Sequence, residues 1–252
     1  MSLLRSPRWI AGHVFALVGV VTFVSLGFWQ LRRLDEVRDL NALISQRLDA
    51  PELPVDSVLR NADEGPEGAT YRRVSATGVY AADEEVLLST RSHQGVPGHH
   101  LLTPLVLEDG SGLIVDRGWV PLELDEPPVA EATAGTDGEQ VTVSGILLPP
   151  GRASSFGLRT SEEGEVDYVG RVDIARLQQQ VTPDLWDIYL LAQGQEPPAP
   201  GALPVPGAPP ELTEGSHLNY AGQWFLFASV VLVGYPFLLR RTLQDRRQTD
   251  EA

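Results

Sequence analysis

Two long apolar runs, one near each end of the chain, dominate its hydropathy pattern. They extend over residues 10–31 and 220–239, and each has the roughly 20 mainly apolar residues that a helix needs to cross a bilayer. A cleaved signal peptide is the alternative for the first run. Its apolar core is longer than that of a signal peptide, and no small-residue cleavage site follows before Arg32. The pattern predicts two retained transmembrane helices, residues 10–31 and 217–239.

The sequence between these runs is typical of short strands. A helical continuation is expected over residues 32–50. Residues 51–195 then contain several runs rich in β-formers, and Asp109–Gly110 separates two of them as a hairpin turn would. Residues 185–193 fit a strand or a helix. Asp173 is a suitable N-cap for a short helix.

These patterns predict a membrane protein in which two transmembrane helices flank an extracytoplasmic α+β domain rich in antiparallel β-strand. The domain is expected to be a small barrel or sandwich with one or two helices. Seven prolines fall within residues 196–210. They predict a stiff, structureless connector over residues 196–216 that leads back to the membrane.

Arginine placement predicts the orientation. Four arginines follow the second run, whereas no arginine lies between Arg176 and Tyr220, so residues 240–252 are expected to be a cytoplasmic tail. With two spans, residues 1–9 are then a cytoplasmic tail as well. Arg32, Arg33 and Arg38 argue against this, but acidic residues surround them, and long domains cross the membrane largely regardless of charge. The central domain is therefore predicted to lie outside the cytoplasm.

Composition excludes several function classes. The formal net charge of −15 argues against a nucleic-acid partner, because phosphate binding needs clustered cations. There is no cysteine, hence no thiolate nucleophile or disulfide. All 19 basic residues are arginines, which excludes Schiff-base and P-loop lysines. No combination of nucleophile and base stands out, so we do not expect an enzyme.

The start of the second helix has candidate binding residues. His217, Ala221, Trp224 and Ala228 fall on one helical face. An imidazole beside a shallow apolar groove suits a haem group. The alternative is that the histidine and tryptophan simply occupy the headgroup region, where amphipathic rings are common.

Other polar residues have simpler interpretations. Gln30, at the end of the first helix, is expected to bond Gln223 or a partner. His93, His99 and His100 are expected at the solvated surface, since neighbours on a strand face opposite sides and cannot share an ion. Asp116 and Arg117, with Arg91 in a nearby strand, suggest a buried ion pair.

Several motifs together resemble the surfeit locus protein 1 family, assembly factors for haem-copper cytochrome c oxidase. The matching positions, in chain order, are Leu26, Gly27, Trp29, Gln30, Arg33, Gly78, Tyr80, Arg91, Gly95, Gly98, Thr103, Pro104, Leu105, the block Arg117–Pro121, and His217, Leu218, Tyr220, Ala221, Trp224 and Phe225. One departure is Asp116, which stands where the family usually has asparagine.

The resemblance implies a plasma-membrane factor that binds haem a and aids its insertion into oxidase subunit I. His217 would be the iron ligand. The walls of the haem site would be Tyr220, Trp224 and Trp29. Residues facing oxidase subunits, or a respiratory supercomplex, would be Gln30, Arg33, Arg117, Trp119 and Gln223. One alternative is a stable structural accessory subunit of the oxidase without a cofactor, and another is a membrane-anchored sensor or solute-binding domain.

Overall fold

The structure is a computed structural model that describes residues 6–60, 66–133, 138–151, 164–199 and 201–250. Its helices and strands, in chain order, are α1 Pro7–Leu48, β1 Leu53–Pro54, α2 Val55–Arg60, α3 Pro66–Ala69, β2 Arg73–Tyr80, β3 Val86–His93, β4 Val96–Leu107, β5 Gly112–Pro121, α4 Ala130–Thr133, β6 Gln140–Leu148, β7 Tyr168–Val169, α5 Ile174–Leu177, β8 Leu185–Glu196 and α6 His217–Asp250. A 3₁₀ turn, Ala82–Glu84, precedes β3.

The chain divides into two compact units. The first, which we call the helix pair, comprises the residues up to Leu43 and those from Leu212 onward, and so contains most of α1 and all of α6. The second, residues 44–211, contains all the strands and is called the head domain.

Both long helices have the length and hydropathy of membrane spans. Helix α1 begins at Pro7, a residue suited to the first helical position, and it unites the predicted span 10–31 and the predicted helix 32–50 in one element. Its 42 residues extend for about 63 Å, roughly twice the hydrocarbon thickness. Helix α6 likewise continues past residue 239 into the predicted C-terminal tail. Residues 1–5, 251 and 252 of the predicted tails lie outside the described residues.

Five strands of the head domain close into a barrel. They are hydrogen-bonded in the order β2, β6, β8, β5 and β4, and β4 pairs again with β2. Most pairs are antiparallel, whereas β5 and β8 are parallel, with Ile114 opposite Tyr189. The prediction of a sheet-rich, mainly antiparallel domain is confirmed.

The barrel interior follows from alternation along its strands. In β2, Val74, Ala76, Gly78 and Tyr80 are buried, and the residues between them are half-buried. Side chains from all five strands form one apolar core, as expected for a small barrel filled by its own side chains. The strand–hairpin–strand interpretation of β4 and β5 is confirmed. Gly110 in the turn has φ +85°, a conformation that glycine adopts without steric cost.

Two shorter elements also test the sequence analysis. Residues 185–193 lie within strand β8, which settles the choice between strand and helix. Asp173 caps helix α5, and its side chain accepts a hydrogen bond from the backbone N–H of Arg176.

The predicted connector contains no helix or strand over residues 197–199 and 201–216, but one of its residues pairs with β5. Val205 and Trp119 exchange two backbone hydrogen bonds, at 2.8 and 2.9 Å. The pairing of β5 with β8 ends at Asp116, so the next part of β5 offers backbone groups that need partners. Gly118 makes this approach possible. It has φ +121°, and a Cβ there would lie 2.1 Å from the carbonyl oxygen of Val205.

Candidate functional site

A hydrogen bond between α1 and α6 fixes the orientation of the imidazole of His217. Its Nδ1 lies 2.8 Å from Oε1 of Gln30. An amide oxygen only accepts, so Nδ1 is the donor, and in a neutral imidazole the lone pair is then on Nε2. No described residue hydrogen-bonds Nε2. Of the two partners expected for Gln30, Gln223 is not the one found: Gln30 bonds His217, and Gln223 is exposed.

The predicted apolar groove beside His217 is filled by the neighbouring helix. Ala221 and Ala228 are 1% and 6% exposed, and the ring of Trp224 stacks on Phe23 with centroids 5.8 Å apart. Gly27 of α1 permits this close packing, since a Cβ there would lie 2.6 Å from the ring of Phe225. The small residues that suggested a groove are thus the contact face of the helix pair.

The other predicted wall residues face outward. Trp29 is 51% exposed and Tyr220 is 47% exposed, and no ring contact joins either to His217 among the described residues. Arg33 forms an exposed ion pair with Glu36 at 2.7 Å. The structure therefore brings His217 and Gln30 together, while Trp29 and Tyr220 remain available on the surface of the helix pair.

A second histidine contact joins the two helices near their other ends, and the sequence analysis missed it. Nδ1 of His13 lies 2.6 Å from the hydroxyl of Tyr235, and the two rings meet edge to face. The two contacts lie about 26 Å apart along the helices, close to the hydrocarbon thickness of a bilayer. A histidine inside an apolar run was the available signal.

Asp116 and Arg117, predicted to take part in a buried ion pair, each have a different partner in the head domain. Arg117 is 4% exposed, and its Nη1 lies 3.3 Å from Oε2 of Glu85. Asp116 instead lies 2.9 Å from Nδ1 of His100. Neighbouring side chains on a strand point to opposite faces, so Asp116 and Arg117 do not share one partner. Arg117 lies beneath the surface, and its role at an oxidase interface stays a prediction.

Two of the three histidines in the head domain are not solvated. His99 is 9% exposed and meets Tyr168 edge to face; burial lowers the pKa of its imidazole. His100 is held by Asp116. His93 lies against Trp119, with ring centroids 5.6 Å apart. Among the described residues, no group of three or more His, Cys, Asp or Glu is placed to hold a metal ion.

The chain is similar to a defined set of proteins. A model of the SURF1 family matches residues 17–229. An uncharacterised SURF1-like protein of Mycobacterium tuberculosis is 29% identical over 256 residues, which cover 98% of this chain and 89% of that protein. A SURF1-like protein of Rickettsia felis is 26% identical, with 90% and 97% covered. A SURF1-like protein of Caenorhabditis elegans is 28% identical, with 91% and 74% covered.

Proposed function

The chain belongs to the SURF1 family, known generally as cytochrome oxidase assembly factors, and we propose that it holds haem a through His217 while the oxidase is assembled. It is a membrane protein with two candidate spans, and the family is not enzymatic in general. The haem would be cargo, passed on to oxidase subunit I.

The hydrogen bond between His217 and Gln30 is the observation that carries this proposal. Histidines that bind metals almost always donate their other ring N–H to a carboxylate, a carbonyl oxygen or water, which fixes the tautomer and makes the ligating nitrogen more basic. Here Nδ1 donates to Oε1 of Gln30 at 2.8 Å, so in the neutral ring Nε2 is the nitrogen that would bind iron. The residues present thus fit an axial ligand to haem iron.

The surrounding aromatic side chains have separate tasks in this proposal. Trp224 is fixed against Phe23 and keeps the start of α6 rigid beside His217. The exposed rings of Trp29 and Tyr220 offer flat, amphipathic surfaces of the kind that occupy the headgroup region. They are the proposed contacts for the porphyrin edge, whereas Arg33 and Gln223 are proposed contacts for the oxidase.

We also propose that the head domain lies on the outer side of the plasma membrane. The arginines that follow the apolar part of α6, Arg240 and Arg241 among them, favour a cytoplasmic C-terminus. Protease treatment of intact cells should then remove the head domain. A head domain that is degraded only after the membrane is broken would contradict this orientation.

The visible spectrum of the purified chain tests haem binding. We expect full-length protein from cells that make haem a to carry a haem spectrum, and His217→Ala to lose it. His13→Ala is the matched control, because it removes the other inter-helix histidine and should leave the haem bound. Gln30→Leu should reduce haem content without abolishing it, since Nε2 remains but is no longer oriented.

The same preparations separate this proposal from its main alternative. Colourless wild-type protein that co-purifies in equal amount with mature oxidase would support a structural accessory subunit instead. Equal haem loss in His13→Ala and His217→Ala would show that the helix pair, rather than the imidazole of His217, is what the haem requires.

A further inference from the structure

A cleft opens at one end of the head-domain barrel. Its volume is about 340 Å³, within the range of small-molecule sites, which often lie at the mouths of barrels. It is lined by the end of β2, by Arg117 in the middle of β5 and by the last residues of β8, and on its other side by a stretch of the connector. The residues that matter here are Tyr80, Arg117, Gln195, Ala199, Ala202 and Pro204.

One donor of this cleft lacks an acceptor, and it belongs to Gln195. Arg117, the cation beside it, contacts Glu85 at 3.3 Å, the carbonyl of Ala132 at 2.5 Å and the ring of Tyr80. Nε2 of Gln195 is buried and has no hydrogen-bond partner among the described residues. Its Oε1 already faces the hydroxyl of Tyr80 at 3.4 Å. An unpaired buried N–H is costly, so the cleft favours an occupant that supplies an acceptor.

The charges around the cleft favour an anionic acceptor. None of the described residues that line the cleft is acidic, although the chain as a whole has a formal net charge of −15. The carboxylate of Glu85 also accepts hydrogen bonds from the hydroxyl of Thr103 at Oε2 and from the N–H of Val129 at Oε1. Burial raises the pKa of Tyr80 to about 12, so its phenol stays neutral beneath the guanidinium, which lies 4.6 Å above the ring.

We propose that this cleft binds a small organic acid, whose carboxylate accepts hydrogen bonds from Arg117 and from Nε2 of Gln195. The planar guanidinium matches carboxylate geometry and makes stronger hydrogen bonds to a charged acceptor than to a neutral one. The apolar body of the acid would lie against Ala199, Ala202 and Pro204 of the connector. This site is distinct from His217 and does not depend on haem binding.

Fluorine NMR tests the proposal with 4-fluorobenzoate as probe. The full-length chain is placed in phosphatidylcholine nanodiscs, and 4-fluorobenzamide serves as the neutral probe of nearly equal shape. We expect benzoate to bind at least about tenfold more tightly than benzamide, because charge-assisted hydrogen bonds are roughly twice as strong as neutral ones. Empty nanodiscs give the background for each probe.

Three variants locate the binding. Gln195→Glu is nearly isosteric, but it places a carboxylate beside Arg117 and should abolish benzoate binding. Gln179→Glu adds the same charge at an exposed position and should leave binding unchanged. Ala199→Phe fills the cleft from the connector side and should also abolish binding. All three variants keep both members of the Arg117–Glu85 pair, so each should remain folded.

Specific outcomes overturn the proposal. Benzoate binding that survives Gln195→Glu or Ala199→Phe would place the probe elsewhere. Equal affinity for benzamide would remove the role of the carboxylate. A wild-type signal no larger than that of empty nanodiscs would mean that the cleft holds water only.

Discussion

The head domain buries its large apolar side chains in its interior, whereas the helix pair exposes most of its own on its surface. In the head domain, Leu105, Leu113 and Leu190 are fully buried within the barrel. In the helix pair, Phe15 and Val233 are 82% and 71% exposed. Burial from water, worth roughly 1.5–3 kcal/mol for each large apolar side chain, therefore stabilises the barrel, whereas most apolar residues of the helix pair are suited to lipid.

This difference determines which contacts hold each region together. Lipid is as apolar as leucine, so membrane helices associate through close packing and hydrogen bonds. In the helix pair these are the contact of Gly27 with Phe225, the stacking of Phe23 on Trp224 and the two histidine hydrogen bonds. The same kind of substitution should consequently have different effects in the two regions.

The largest effect is expected for the buried ion pair of the head domain. Arg117→Met leaves the carboxylate of Glu85, whose side chain is fully buried, without its cation, and should lower the free energy of unfolding by about 3–5 kcal/mol. Chemical denaturation of the full-length chain in nanodiscs, followed by circular dichroism, measures this. The double variant Glu85→Gln/Arg117→Met should recover most of the loss.

The matched substitution in the helix pair is Arg33→Met. Arg33 and Glu36 also form an ion pair, but their side chains are 53% and 63% exposed, so the loss should be at most about 1 kcal/mol. A loss as large as that of Arg117→Met would show that exposure does not separate the two pairs.

A smaller effect is expected from removing one core side chain. Leu190→Ala should destabilise the head domain by about 2–5 kcal/mol, because it leaves a cavity in the barrel. Leu232→Ala, at a position of α6 that is 64% exposed, should change the unfolding free energy of the helix pair by less than about 0.5 kcal/mol. Equal losses on thermal or chemical unfolding would contradict the contrast between a water-excluding core and a lipid-suited surface.

Local features of both regions could be predicted from the sequence, whereas long-range pairings could not. The turn at Asp109–Gly110 and the cap at Asp173 depend on a few neighbouring residues, and both are confirmed. The partner of Arg117 lies 32 residues away, and that of His217 lies 187 residues away. No local pattern distinguishes Glu85 from other acids, or Gln30 from Gln223.

In the candidate site, too, the sequence predicts local features but not the long-range contacts. The family motif predicts His217 as a haem ligand, but it does not predict Gln30 as the acceptor of its ring N–H. Ala221, Trp224 and Ala228 form a face that suits either an open groove or a helix contact, because small residues allow both. The geometry of α1, which places Phe23 and Gly27 opposite that face, decides between them.

The packing of the helix pair can be tested with two glycines of α1. A Cβ at Gly27 would lie 2.6 Å from the ring of Phe225, whereas a Cβ at Gly19 would have no other atom within 4 Å. Gly27→Ala should therefore weaken the pair by about 1–3 kcal/mol through overpacking, and Gly19→Ala should not. The chain lacks cysteine, so spin labels at Phe15→Cys and Val233→Cys would report the change. An unaltered distance distribution in Gly27→Ala would argue against this contact.

The smallest expected effect concerns the pH dependence of head-domain stability. Burial lowers the pKa of His99 from its ordinary value of 6.5, partly opposed by Asp125. The unfolded chain then binds a proton at this residue more readily than the folded chain. Above pH 6.5 His99 is neutral in both states and its stabilising effect on the fold is complete. Below pH 6.5 the free energy of unfolding decreases, by no more than about 1.4 kcal/mol per pH unit.

His99→Phe keeps a ring beside Tyr168 and should remove this part of the pH dependence between pH 7.5 and 5.5. An unchanged pH profile of head-domain unfolding in His99→Phe would mean that the acid sensitivity of the barrel arises elsewhere.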